Sequence, residues 1–570
     1  MTLDKHLKVV VVGGVAGGAS AAARIKRLDE KAEVVVLEKG EHVSFSNCCL
    51  PYHLSGTVEK SESLILMTPQ AFKVKHDIDV RVKSCVTAID RQKKTVTVDG
   101  PDGVYEESYD KLVLSPGASP IVPGGLKGAD KAHVFTVRNV TDIRAIKAKI
   151  DDPAVEKIAV VGGGFIGIEV AENLQMAGKT VTIIEMAPQI LAPFDEDMVQ
   201  ILHKELDDNG IRLMVGTELL SIGDKTVTVR RDGRESRLKA DAVVLAIGVR
   251  PETALAREAG LEIGETGAIR VDAQYRTNDP DIYAVGDAVE VYMAQTRTVG
   301  RLPLAGPAQM EARAAADHIC GIADRNEGFI SAMCLRVFRQ NAAAAGLNET
   351  QCRRAGLNFD SVLLFPTDKV GIMPGSHYMA LKILFEKPTG LVLGAQAVGP
   401  GDVVGRINTA AAVIRLKGTL YDLKDLNLCY SPVYNTAKDP VNMAALVGIN
   451  ILENRVRQVH VRDVRGLVEQ GAFIVDVREK KEYAAGHLKG SVNIPLTELR
   501  ARAGEIPKDV PVYLHCRSSQ RSYYAIRCLQ GLGWDNLYNI SGSYLGISLY
   551  EYFRDKTEGR EPILDNYNFR

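Results

Sequence analysis

The chain has 570 residues, 46% hydrophobic and 25% charged, with 70 Lys and Arg against 71 Asp and Glu for a net charge of -1. That length exceeds a single core and predicts several domains of about 150 residues each, while the even charge balance excludes a basic surface built for nucleic acid or an acidic membrane. Nine cysteines without framework spacing, in a sequence read as lacking an export signal, predict free thiols in a reducing, cytoplasmic setting.

The first apolar stretch, Val9 to Ala23, holds four glycines within six residues and is flanked by Lys5, Lys8 and Arg24. It falls short of the roughly 20 unbroken apolar positions of a membrane span, so strand, turn and helix are expected instead. Lys8 to Ser20 reads KVVVVGGVAGGAS, and a second apolar run, VVVLE, ends at Glu38. The order recurs at Lys157 to Glu169, KIAVVGGGFIGIE, followed by VTIIE ending at Glu185. Glycines let the backbone approach a pyrophosphate, the helix N-terminus stabilises its charge, and the acid accepts from a ribose hydroxyl. The second copy has the full spacing of Gly162, Gly164 and Gly167; the first has Gly13 and Gly18 but Val15 between them.

Ten residues after Glu38 comes Cys48, in the run SFSNCC, with no cysteine four or five positions downstream and His53 where a second sulfur of a paired-cysteine reductase would stand. A lone thiol beside a nucleotide site must pair with an outside sulfur. Runs ending at Ser115-Pro116-Gly117 and Ile247-Gly248 read as crossovers between two nucleotide domains, and TNDPDIYAVGDA, Thr277 to Ala288, places Asp287 at a strand end suited to a flavin ribityl chain.

From Phe329 to Ile451 the pattern changes to the strands VLLF, ALKILF and LVLGAQAV and to helices around 402–417 and 436–450. The charged stretch Leu452 to Gln458 reads as a linker, Val459 to about Phe553 as a small α/β domain, and about the last fifteen residues as a tail. In that small domain a strand, VYLH, runs into Cys516 and the polar loop 516–521. Successive backbone N–H groups there form an anion cradle, and Arg517 and Arg521 add positive potential suited to a thiolate or persulfide. The expected fold is α/β: two nested dinucleotide-binding domains (1–118 with 272–325, and 119–271), an α+β dimerisation domain (326–451) and a C-terminal α/β domain (459–555).

Up to about residue 450 these motifs resemble the pyridine nucleotide-disulfide oxidoreductases, and specifically the coenzyme A-disulfide reductases, at GGVAGGAS (13–20), SFSNC followed by LPY (44–52) and YSPVYNTAKDPVNM (430–443). The resemblance implies FAD, NADH and coenzyme A, with Cys48 as the redox cysteine and Tyr430, or Tyr434, beside it. It adds Gly14, Ala16, Gly17, Lys39, Val86, Ser115, Gly117, Ile166 and Gly248 to the expected cofactor contacts. Ser20, Arg24, Arg27, Ser44, Asn47, Thr68 and Lys438 become the expected contacts of coenzyme A, with Lys26 a third charge on the first helix. A homodimer is implied, with Tyr430 and Lys438 reaching the other subunit's site; no metal is.

Three positions depart from that family: Cys49 replaces a small residue, Ile372-Met373-Pro374-Gly375 replaces a YYPG-like run, and His76 replaces a basic phosphate contact. Cys49 is either a small-residue substitute or the partner in a vicinal disulfide. NADH oxidases and peroxidases, which also use a lone cysteine, carry a histidine just after the first glycine turn that is absent here. Glu185 without a nearby arginine favours NADH over NADPH.

The C-terminal domain resembles the rhodaneses, with Cys516 carrying sulfur, a CRxGxR-like loop and Ser519 in place of the glycine. A phosphatase loop, Cys-x5-Arg, would need its arginine one position beyond Arg521. Together these features point to an FAD-dependent NADH oxidoreductase acting on coenzyme A persulfide or polysulfide, with a coenzyme A-disulfide reductase carrying an accessory rhodanese domain as the alternative. The expected partner is a small thiol or persulfide, not nucleic acid or membrane.

Overall fold

The computed structural model describes residues 6–323 and 326–569. The chain forms two compact units, Met1–Pro188 with Met214–Phe329, and Gln189–Leu213 with Ile330–Arg570.

In the first unit, strands Ile282–Ala284, Lys111–Leu114, Lys8–Val12, Glu33–Glu38 and Asp79–Val82 lie in that order and run parallel. Successive strand residues face opposite ways. Val9 and Val11 therefore join a core with Ala21, Ala22 and Ile25 of helix Ala16–Leu28, and Val10 and Val12 join another with Val35, Leu37 and Leu112. Burial of both faces explains the unbroken apolar runs of the sequence. Helix Ala16–Leu28 leaves the carboxyl end of the central strand, where open parallel sheets bind nucleotides.

The second copy of the pattern builds a like sheet from Thr180–Ile184, Lys157–Val161, Ala242–Leu245 and Val134–Thr136. Short strands Ala118–Pro120 and Val249–Pro251, just past the Gly117 and Gly248 turns, pair antiparallel with Ser119 opposite Arg250, so the two crossovers run together.

In the second unit, Ala332–Val337, Gln340–Gly346, Val392–Gly399, Ala380–Glu386 and Phe359–Leu364 form an antiparallel sheet in that order. Ile383, Phe385, Ala395 and Ala397 pack with Ile407 and Val413 of helix Val404–Arg415 and with Val441 and Ala445 of helix Pro440–Leu452. Helix Glu196–Asp208 also belongs here, although its sequence lies inside the span expected for the nicotinamide domain. The buried Lys382 holds its N-terminus, 2.8 Å from Asp197 and 3.2 Å from Asp195.

The C-terminal part of this unit is a parallel sheet ordered Arg457–Val459, Leu537–Ile540, Val512–His515, Phe473–Asp476 and Val492–Asn493. The expected linker is shorter than read: helix Pro440–Leu452 and strand Arg457–Val459 absorb its ends, and Gln458 Nε2 donates to Asp360 Oδ1 (3.0 Å) and Ser361 O (2.7 Å). The segment read as a tail is packed. Ile563 and Leu564 are buried, and Tyr544 Oη donates to Asn566 O at 2.5 Å. Two apolar residues in a charged stretch carry no periodicity from which this could be read. Among the described residues no helix is long and apolar enough to cross a membrane.

Candidate functional site

Both glycine turns close in the same way. Gly13 has φ +95, a Cβ on it would lie 2.1 Å from Ser115 O, and a Cβ on Gly18 would lie 1.8 Å from Gly13 O. At the second turn Gly162 has φ +110, and a Cβ on Gly167 would lie 2.0 Å from Gly162 O. The middle position is different. Val15 has φ -104 and Gly164 φ -77, both outside the left-handed region, and a Cβ on Gly164 would meet nothing within 4 Å. The close approach that excludes a side chain at Gly18 and Gly167 is absent at the middle position of the second turn, and the first turn carries Val15 there.

The two acids act alike. Glu38 accepts the N–H of Gly14 (2.8 Å) and of Gly40 (2.7 Å), and Glu185 accepts those of Gly163 (2.5 Å) and Ala187 (2.7 Å). Each carboxylate is fixed by two backbone donors and retains lone pairs for ribose hydroxyls. Beside the first turn lies a cavity of about 780 Å³ whose walls include Gly13, Glu38, Lys39, Val86, Ser115, Gly117 and Asp287, together with Phe45 and Asn47 from the cysteine segment. A glycine turn, a fixed ribose acid and a carboxylate at a strand end fit a flavin dinucleotide. Ala16 and Gly17 begin the helix above it, Ile166 is exposed at the second turn, and Gly248 has φ +112.

Cys48 sits on a short 3-10 turn, Asn47–Cys49, exposed, with Ser46 Oγ 3.5 Å from its sulfur. Ser44, at φ +49, ties this segment to the first glycine turn: its N–H donates to Gly14 O and its carbonyl accepts from Leu66 N, each at 2.8 Å. Cys49 is half-buried, and all nine cysteines are free. His53 is buried with Nδ1 2.8 Å from Val58 O, a structural role at the place of the missing second sulfur.

The charges of the first helix divide. Lys26 is a core residue, bound to Glu30 O (2.6 Å), Ala32 O (3.1 Å) and Asp77 (3.3 Å). Arg24 pairs with Asp317 at 2.6 Å, and Arg27 is exposed. Ser20 Oγ donates to Gln309 Oε1 (2.8 Å), and Thr68 Oγ1 caps helix Pro69–His76 through Ala71 N (3.2 Å). In the second unit Tyr430 and Tyr434 are exposed, and Lys438 lines a cavity of about 640 Å³ together with Ser518, Ser519 and Gln520 of the second cysteine loop.

Two acids with raised pKa escaped the sequence reading, the buried Glu311 and the half-buried Glu169. Glu311 accepts the Gly286 N–H at 2.6 Å; burial pushes its carboxyl up to about 8, against that hydrogen bond and with the help of the Asp287 charge. Its only signal was an acid among the alanines of helix Ala305–Ile319. Glu169, inside the second motif, is pushed up to about 7 by burial and then by Glu172. One turn further on, Asn173 accepts a 2.6 Å bond from Ser55.

Around Cys516 the loop turns through Ser519, at φ +73, into helix Gln520–Gly531. A non-glycine residue there costs about 1–3 kcal/mol, so the position does select for glycine. Cys516 is buried; its N–H donates to Ser543 Oγ at 3.2 Å. Arg521 is paired with Glu482, which takes both its terminal nitrogens, at 2.6 and 2.8 Å, and its charge also interacts with Cys516. Arg517 lies over the Tyr378 ring, 5.7 Å to its centroid. Ser522 stands where a phosphatase loop would need arginine. Among the described residues no cluster could hold a metal ion.

Comparison with known proteins agrees with this geometry. A family described as pyridine nucleotide-disulphide oxidoreductase matches residues 7–312, the dimerisation domain of the same family matches 335–439, and a rhodanese-like domain matches 460–549. The crystal structure of reduced CoADR-RHD from Bacillus anthracis superposes with a TM-score of 0.93 at 38% identity, over 97% of this chain and 99% of that one. A NAD-dependent persulfide reductase from A. fulgidus gives 0.89 at 33% identity, over 95% and 100%. The coenzyme A disulfide reductase of Staphylococcus haemolyticus is 32% identical over 76% of this chain and 98% of its own length.

Proposed function

The chain belongs to the pyridine nucleotide-disulphide oxidoreductases, flavoenzymes that use FAD and NADH, and carries a rhodanese-like domain; on that premise we propose that it reduces coenzyme A persulfide, and polysulfide by the same chemistry, through Cys48. The observation that carries the reading is the exposed Cys48, tethered to the first glycine turn, with the buried His53 where a second sulfur would stand. Such a thiol resolves a sulfur species only by taking it from outside.

The attacking form is the Cys48 thiolate. Attack on the inner sulfur of the persulfide forms a Cys48 disulfide with coenzyme A and expels hydrosulfide; attack on the outer sulfur forms a Cys48 persulfide and expels coenzyme A thiolate. The cavity lined by Gly13, Glu38, Ser115 and Asp287 would hold the flavin, which when bound and reduced by NADH would supply the two electrons needed to cleave either bond. Both routes restore the thiolate and give the same balance: persulfide, NADH and a proton become coenzyme A thiol, hydrogen sulfide and NAD+. Glu185, held by Gly163 and Ala187, disfavours the extra phosphate of NADPH.

The domain assignment follows the same reading: 1–118 with 272–325 for FAD, 119–271 for NADH, 326–451 for dimerisation and 459–555 for sulfur transfer at Cys516. In the homodimer that a dimerisation domain implies, Tyr430 and Lys438 are assigned to the Cys48 of the other protomer; their exposure in the single chain supports this. The likeness to a coenzyme A disulfide reductase favours a second reading, in which the disulfide is the preferred substrate and the rhodanese domain accessory. Against it stands Ile372, exposed where that family has a tyrosine.

Trapping tests the proposal. Enzyme mixed with coenzyme A persulfide in the absence of NADH should carry coenzyme A or one extra sulfur on the Cys48 peptide by mass spectrometry. A Cys48 peptide that stays unmodified while sulfide is still released on adding NADH would overturn it.

A further inference from the structure

Two buried serines beside Cys516 hold backbone conformations that favour glycine: Ser519 at φ +73 and Ser543 at φ +50. Their hydroxyls lie 3.1 Å apart. Ser543 Oγ also accepts the Cys516 N–H at 3.2 Å and lies 4.0 Å from the Cys516 sulfur. A third hydroxyl, Ser522 Oγ, lies 3.8 Å from the sulfur, but its hydrogen is placed on Asn539 Oδ1 at 2.7 Å. Ser519 and Ser543 Oγ each also reach Ile540 O as donors at 3.3 Å; when Ser519 donates to Ser543, the Ser543 hydrogen is shared between that carbonyl and the sulfur, and ionisation of the sulfur makes it the stronger acceptor. Strained non-glycine residues persist where the side chain has a use.

Most of the hydrogen-bonding capacity of the charged groups around the sulfur is taken by other partners. Arg521 is bound twice to Glu482, and Arg478 is buried against Asp476 at 2.6 Å and donates to Gly486 O at 2.6 Å. Burial holds His515 neutral, its ring between Asp476 and the Cys516 carbonyl, and Arg517 lies over Tyr378 with its Nη2 buried and unpartnered. The side-chain donors placed within 4.0 Å of the sulfur are the Ser543 and Ser522 hydroxyls.

We propose that Ser543 donates its hydroxyl hydrogen to the anionic sulfur of Cys516, both as thiolate and as persulfide, and that Ser519 positions it. The inference rests on the reading of Cys516 as the sulfur carrier. In the transfer step the Cys516 thiolate attacks the outer sulfur of a donor persulfide, R–S–SH. The new S–S bond forms as the donor S–S bond breaks, and R–S⁻ leaves with the bonding pair. It then takes the persulfide proton, and the negative charge rests on the terminal sulfur of Cys516 persulfide. No external electrons are needed. A hydroxyl in the cup stabilises both anions, adding a hydrogen bond to the potential of the Glu482-paired Arg521.

The test is made on the full-length protein, following Cys516 by peptide mass spectrometry. Ser543→Ala should move the pH midpoint of Cys516 alkylation up by about one unit, the size expected for one hydrogen bond to a charged group. It should also slow single-turnover sulfur transfer from coenzyme A persulfide to Cys516 on the order of tenfold. Ser519→Gly, which relieves backbone strain and so keeps the fold, should shift both in the same direction by less while unfolding at a higher temperature. Unchanged midpoint and transfer in Ser519→Gly and Ser543→Ala would overturn the inference and leave the sulfur-carrier reading standing. Sulfur loading of Cys516→Ser as fast as wild type would overturn the reading itself.

Discussion

Lys382 Nζ lies 2.7 Å from Glu349 Oε1 with both side chains buried, and Asp195 and Asp197 surround the same ammonium. Burial acts against the ionised form of Glu349, but Lys382 and Arg462 outweigh it and hold the carboxyl well below the ordinary range. Burial likewise opposes the Lys382 charge and is outweighed by Asp197, Asp195 and Glu349, so that its pKa lies above the ordinary value. The Glu349 contribution to stability is thus present above about pH 4.3 and lost as pH falls through its lower folded value; that of Lys382 is complete below about pH 10.4 and lost as pH rises through its higher one. Lys382→Met leaves Asp195 and Asp197 without their cation, while Glu349 keeps Arg462, and should cost about 3–5 kcal/mol in urea unfolding at neutral pH. The variant should gain more stability than wild type on acidification from pH 7 to pH 5.

At the second glycine turn, Gly164→Ala and Gly167→Ala should separate binding from folding. A Cβ on Gly164 meets nothing within 4 Å, at the motif position where the backbone approaches a pyrophosphate, whereas one on Gly167 collides with Gly162 O at 2.0 Å. Gly164→Ala should keep its melting temperature while KM for NADH rises on the order of tenfold. Gly167→Ala should lose thermal stability outright.

Glu311 has a pKa raised to about 8, so the stability it contributes as a neutral acid is complete below about pH 4.3 and is lost as pH rises through about 8. Glu311→Gln keeps an acceptor for the Gly286 N–H and cannot ionise. Its melting temperature should match wild type near pH 4 and exceed it increasingly up to pH 8; parallel profiles would show that the carboxyl ionises freely in the fold.

Cys49 is half-buried and free beside the exposed Cys48. As a small-residue substitute it is dispensable, and Cys49→Ala should keep turnover with NADH and coenzyme A persulfide within about twofold of wild type. Peptide mapping of the oxidised enzyme should find no bond between the two.

What the sequence disclosed and what it hid follow from range. The glycine turns, Glu38 and Glu185 lie within one βαβ unit each, where spacing along the chain fixes spacing in space, and both copies closed as expected. The positive φ at Ser519 was legible because a family loop has glycine there. Lys26 resembled Arg24 and Arg27 in sequence, and only tertiary packing against Glu30, Ala32 and Asp77 makes it a core residue. The pairing of Arg521 with Glu482, thirty-nine residues away, and the approach of Glu311 to Gly286 are contacts between distant segments that no local pattern encodes.

The account turns on Cys48 as the sulfur that receives the cargo. Steady-state NADH oxidation with coenzyme A persulfide, with sulfide measured in parallel, should give one sulfide per NADH in wild type, persist in Cys516→Ser when substrate is added directly, and vanish in Cys48→Ser. Wild-type rates of NADH oxidation and sulfide release in Cys48→Ser would contradict it.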